Sequence, residues 1–324
     1  MQMKEVLMFK GARTIMDNCV SLKQGEKVLI VTDMAQVKIA NILAAAAFER
    51  GAEVVVSIMQ PRKKAGEEPP DLIAESMKHA DVVLIPVTYS VTHTFAVKNA
   101  AAAGARILVL TDFTEEMLFR GGSEADFQSI KPICKGVANA FAKGNHVRLT
   151  TPAGTDLSFD ITGRRGNSLY CVVEPGEFST IPTIEANTSP LEGTANGKIV
   201  ADASIPYIGI GLLDEPVIVD VENGYITKIS GGKQAEMLNK DLLSHNDRNC
   251  FNIAELGVGL NPKCRMCGIM LEDEGVVGTA HIGIGTSITL GGTIKAPTHY
   301  DLIMWKPRIE VDGKVIVDND KVIL

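Results

Sequence analysis

At 324 residues the chain is long enough for two domains of ordinary size, and 45% hydrophobic with 22% charged residues excludes disorder, collagen-like repeats and coiled coil. Lysine and arginine total 32 against 39 acidic residues, a net charge of −7 with no dense basic run, so nucleic acid is not expected as a partner. No stretch approaches the roughly 18 to 20 uninterrupted apolar residues of a membrane span, and Glu5 and Asp17 break the N-terminus as a signal peptide. The expectation is a folded cytoplasmic protein with no membrane partner.

From residue 27 to about 145, apolar runs alternate with Ala-, Leu- and Lys-rich segments. KVLIVTD (27–33), EVVVSIM (53–59), DVVLIPVT (81–88) and RILVLTD (106–112) read as strands; 37–51, 71–80 and 93–104 read as the helices between them. Strands apolar at nearly every position fit a parallel sheet covered on both faces. The turn after the first strand reads TDMAQ, without the glycines that let a backbone approach a pyrophosphate, so the domain is expected to be scaffold rather than nucleotide site. The expected fold is therefore a small doubly wound α/β domain over 1–145.

After Gly144 the character changes to β-branched residues and turn signals at Ala153-Gly154, Asn223-Gly224, Gly291-Gly292 and Asp312-Gly313, with one helical segment at 232–244. A mainly β, barrel-like, metal-binding catalytic domain is expected over 146–324. Six scattered cysteines in a chain without a secretory signal are expected to be reduced thiols. One CxxC, Cys264 and Cys267, lacks the four ligands of structural zinc and reads as two loop thiols.

Of the histidines, His79, His93, His146 and His245 read as surface or helix-end residues. His281 and His299 differ, because they lie in GTAHIGIGTSITLGGTIKAPTHYDLIM (278–304) with Asp301 two positions beyond His299. On a strand, residues two apart share a face, so His299 and Asp301 can converge on one point. Glu185 in IPTIEANTSP and Glu255 in NIAELGVGLNP are isolated acids in uncharged stretches, where a carboxylate needs a partner. Two glutamates, two histidines and an aspartate form a donor set suited to zinc, cobalt, manganese or iron(II).

The wording IPTIEANTSP, NIAELGVG, GTAHIGIG and PTHYDLIM, in that order, resembles the metal-binding segments of the aminopeptidase T / aminopeptidase S family of metallo-aminopeptidases. The resemblance implies Glu185, Glu255, His281, His299 and Asp301 as ligands of a divalent metal pair, a small-molecule or short-peptide substrate, and a homo-oligomer. That family carries a tyrosine shortly after its first site histidine, whereas IGIGTSIT has none; the run Glu272-Asp273-Glu274 resembles an acid of the family at altered spacing. The stretch containing EGTANG (192–197) is closer to a shorter branch of the superfamily, the ring-cleaving dihydroxypyridine dioxygenases, which hold one iron(II) on two histidines and an aspartate. Five donors, two of them carboxylates able to bridge, make a hydrolase with a metal-activated water the first expectation. The alternative is an iron(II) dioxygenase built on His281, His299 and Asp301; a metal-binding protein without turnover ranks last.

Overall fold

The computed structural model describes residues 3–92 and 94–324, so the surface position expected for His93 lies outside them. The chain forms two compact units, one of Met1–Ser129 with Tyr170–Pro182 and one of Ile130–Leu169 with Thr183–Leu324. The expectation had placed a single boundary after residue 145.

The first unit is built on a parallel sheet in the order Glu53–Met59, Lys27–Asp33, Val82–Val87, Arg106–Thr111, Phe178–Thr180. The first four are the expected strands, and helices Val37–Glu49, Asp71–Met77 and Phe95–Ala102 connect them. Its central strands Val82–Val87 and Arg106–Thr111 are buried at every position. The edge strand Glu53–Met59 is not: Val55, Val56 and Ile58 are exposed, so the cover expected on both faces does not extend to it. Elements absent from the sequence reading include the N-terminal helix Met3–Thr14, the long helix Phe127–Lys143 and the fifth strand, where Phe178 pairs with Ile107. That strand draws residues 170–182 into this unit.

The second unit is mainly β, as expected, and contains two antiparallel sheets, one of eight strands and one of seven. Asn223-Gly224 and Asp312-Gly313 form hairpin turns with positive φ at both residues, as expected. Gly291-Gly292 does not; Gly291 closes the short 3-10 turn Ile288–Leu290 within the loop after strand Thr279–Gly285. Helix Lys233–Ser244 matches the expected segment. No helix among the described residues is long and apolar enough to cross a membrane.

The seven-stranded sheet positions the candidate site. Its middle runs His299–Trp305, Thr279–Gly285, Ile253–Gly259, Glu185–Thr188. Alternation sends Ile282, Ile284, Leu256, Val258, Leu302 and Met304 to one buried face, each contributing about 1.5 to 3 kcal/mol of burial. The donor residues line the other.

Candidate metal centre

Register, not proximity in sequence, assembles the donors. Glu255 lies opposite Gly283, and Gly283 opposite Asp301; His281 lies opposite Gly257, His299 opposite Gly285, and Glu185 opposite Gly259. Every donor on this face thus has a glycine across from it. The glycines of ELGVG and HIGIG are required sterically: a Cβ on Gly257 would stand 2.0 Å from His281 Nε2, and one on Gly283 would stand 2.8 Å from both Glu255 Cβ and His299 Cε1. The bare backbone makes the cup in which the larger side chains meet.

All five expected residues come together. Glu185, Glu255 and His281 form one group able to hold a metal, and Glu255, His299 and Asp301 form another, so Glu255 joins them into one cluster. His299 Nε2 lies 3.0 Å from Glu255 Oε2 and 3.6 Å from Asp301 Oδ1, while His281 Nε2 lies 3.5 Å from Glu185 Oε2 and 3.9 Å from Glu255 Oε1. Both glutamates are buried, Glu185 being 5% and Glu255 3% exposed.

Second partners orient the donors. Asn187 Nδ2 donates to Glu185 Oε1 at 2.9 Å and is itself held by Asn167 at 2.7 Å. His299 Nδ1 lies 2.9 Å from the carbonyl of Thr286, which leaves Nε2 facing the acids. Two groups to which the sequence reading gave no role complete the site. The hydroxyl of Tyr207 lies 2.6 Å from Asp301 Oδ2 and 2.8 Å from Glu274 Oε1. A tyrosine therefore reaches the cluster from the loop at 206–210, not from the stretch after His281. Of the acidic run, Glu274 belongs to the site, Asp273 accepts hydrogen bonds from Ser204 Oγ and the amides of Cys267 and Gly268, and Glu272 accepts from the Arg265 amide.

Four buried acids and two histidines share this cluster, which sets their protonation. Burial, reinforced by Glu255 and Asp301, lifts the Glu185 carboxyl to about 7 against the pull of His281. Burial also lifts Glu274 well above the usual carboxylate range, with Asp301 and Glu185 adding to it. For Glu255 burial is outweighed by the two imidazolium rings, and its carboxyl falls to about 2. Burial would lower both histidines, but the surrounding carboxylates win and raise His281 to about 9 and His299 to about 10. Without a cation the charges are thus balanced by protons. One phenolic hydrogen cannot serve two carboxylates at once, so the short Tyr207 contacts call for a proton on Glu274.

The donor set fits a divalent cation. Glu185 Oε2 and Asp301 Oδ1 are buried without a hydrogen bond, each facing an imidazole Nε2 at 3.5 and 3.6 Å, and a cation there would supply the positive charge that such oxygens need once the rings lose their protons. No such group of three donors among the described residues includes Cys264 or Cys267, and none of the six cysteines is in a disulfide. His79 is exposed; His146 pairs with Asp160 at 2.9 Å and His245 with Asp241 at 3.4 Å, away from the cluster.

A family model, "NicX: 2,5-dihydroxypyridine 5,6-dioxygenase", matches residues 8–324. A curated 2,5-dihydroxypyridine 5,6-dioxygenase of Pseudomonas putida KT2440 is 25% identical over 255 residues, covering 75% of this chain and 71% of the relative. Among solved structures, the dihydroxypyridine dioxygenase of Pseudomonas putida KT2440 has a TM-score of 0.84 at 19% identity, covering 98% of this chain and 97% of that one. Wild-type AmpT from Thermus thermophilus has a TM-score of 0.69 at 16% identity, covering 98% and 99%. At these identities the two structures share the fold with this chain.

Proposed function

The chain belongs to the NicX family of 2,5-dihydroxypyridine 5,6-dioxygenases, and from that membership we propose that it is a mononuclear non-heme iron(II) dioxygenase that opens a dihydroxypyridine-type aromatic ring. The family match across residues 8–324, the donor cluster included, carries this reading. It corrects the first expectation, a metal-activated-water hydrolase of the aminopeptidase kind. The count of five donors in this chain does not distinguish the two chemistries, so counting donors favoured the wrong one; the resemblance to AmpT extends to fold alone.

In this reading His281, His299 and Asp301, drawn from the two donor groups that Glu255 joins, would hold the metal as a two-histidine, one-carboxylate set of the kind that leaves room for substrate. Iron(II), when bound, supplies the one-electron chemistry that lets dioxygen react with a closed-shell ring. The protein's residues do the rest. Glu255, between the two imidazoles, keeps both rings turned toward the cluster. Glu185, buried and near neutrality with Oε2 unpartnered, is the group suited to take a hydroxyl proton from the ring. The partner is then a small aromatic molecule rather than nucleic acid or membrane, and the chain acts as a cytoplasmic homo-oligomer.

The test is metal content after anaerobic purification without added metal. We expect about one iron per chain, the stoichiometry of a facial-triad site; two zinc, cobalt or manganese ions per chain would count against the reading. A second expectation follows from protonation. Because His281 and His299 carry protons well above their ordinary value, a metal must displace them, so affinity is depressed at low pH. Cobalt(II) affinity should rise about tenfold per pH unit for each proton displaced. The rise should level off only as pH passes about 9 to 10. Affinity that is flat through neutrality would mean that neither ring is protonated when the metal arrives.

A further inference from the structure

We propose that Tyr207 is a positioning residue, whose hydroxyl fixes the rotation of the Asp301 carboxylate so that Oδ1 is the oxygen offered to the metal. This rests on the reading of Asp301 as a ligand.

A carboxylate turns easily about its last torsion, whose preference is broad. An aspartate on a strand therefore needs an outside contact to present one chosen oxygen. Tyr207 supplies it: the hydroxyl lies 2.6 Å from Oδ2, while Oδ1 is buried with no hydrogen-bond partner. Glu185 repeats the pattern, with Oε1 held by Asn187 and Oε2 unpartnered. In each acid a neutral donor occupies one oxygen and leaves the other for the cluster.

Tyr207 is itself held. Its amide donates to the carbonyl of Ile205 at 2.8 Å, its carbonyl accepts from Ile210 at 2.9 Å, and Ile208 and Gly209 between them take positive φ. The ring packs against Tyr300 at 5.2 Å between centroids, and the Tyr300 hydroxyl is anchored to Asp241 Oδ2 at 2.9 Å. On its far side the hydroxyl meets Glu274, whose place follows directly on the short helix Met270–Asp273. A phenol fixed from both sides is a rigid pointer, and the rigidity of such supporting groups commonly sets metal affinity.

The experiment is a cobalt(II) titration of the metal-free full-length chain, followed by the visible ligand-field bands, with Tyr207→Phe, Glu274→Gln and Asp301→Ala. Tyr207→Phe keeps the ring against Tyr300 and removes only the oxygen. It should still bind one cobalt, with affinity lower by about ten- to hundredfold and with band intensities changed as Asp301 turns. Glu274→Gln keeps a hydrogen-bonding group on the far side of the phenol, so it should lower affinity less than Tyr207→Phe does. Parent-like affinity and bands in Tyr207→Phe overturn the proposal. So does a loss in Glu274→Gln equal to that of Tyr207→Phe, which would place the effect on Glu274. Asp301→Ala separates the two claims: cobalt bound as tightly as by the parent would overturn the ligand reading itself.

Discussion

Gly283→Ala should cost the protein its metal although it changes no donor. The added Cβ would stand 2.8 Å from Glu255 Cβ, 2.8 Å from His299 Cε1 and 2.9 Å from His299 Nε2. Glu255 Cβ is fixed by its own strand, so the imidazole must swing away, and the contact between Glu255 and His299 opens with it. Gly283 does not have a positive φ, so the effect is steric overlap and not backbone strain. Overpacking of this kind costs about 1 to 3 kcal/mol of stability, and metal affinity should fall at least about a hundredfold, roughly 2.8 kcal/mol. Thermal melting and a cobalt titration of one preparation read both. Gly257→Ala, with its Cβ 2.0 Å from His281 Nε2, should act the same way on the other histidine. Parent-like affinity in both variants would show that the glycines are incidental to the cup.

His299→Ala should reduce bound metal to background and abolish turnover, while the first unit keeps its helical signal. His299 is the ring that lies near both Glu255 and Asp301, so its removal takes a nitrogen donor and a counter-charge together. Glu255, 3% exposed, keeps only the more distant His281 at 3.9 Å. An acid left buried with a weakened partner costs about 1 to 3 kcal/mol, so the metal-free variant should also melt lower than the parent. Mass-spectrometric metal content decides the matter, and an unchanged value would remove His299 from the site.

The sequence carried the donors in two ways, His299 and Asp301 by their spacing on a strand and Glu185 and Glu255 as isolated acids in uncharged stretches. ELGVG and HIGIG put an acid or a histidine at one end and glycines at every second place after it, and HYD put the second histidine and Asp301 on one face. What those glycines were for became visible only through the register, which sets them opposite the side chains of the next strand. Tyr207 was not legible as a site residue, and Glu274 only as one of an acidic run without an assigned role. The phenol reaches Asp301 across 94 positions of sequence, from a turn that no periodicity marks. Glu274 lies in a run of three acids, two of which serve the local backbone. The fifth parallel strand was hidden for another reason: at three residues, Phe178–Thr180 is too short for a pattern, and its partner lies some seventy positions earlier. Chemistry was misjudged because oxygen and nitrogen donors do not by themselves distinguish a bound water from a bound dioxygen.

Oxygen consumption by the iron(II)-loaded protein with 2,5-dihydroxypyridine addresses the central claim most directly. The account predicts one dioxygen taken up per ring lost, with uptake absent in His299→Ala. No uptake by fully iron-loaded protein, together with release of amino acids from aminoacyl amides, would contradict it.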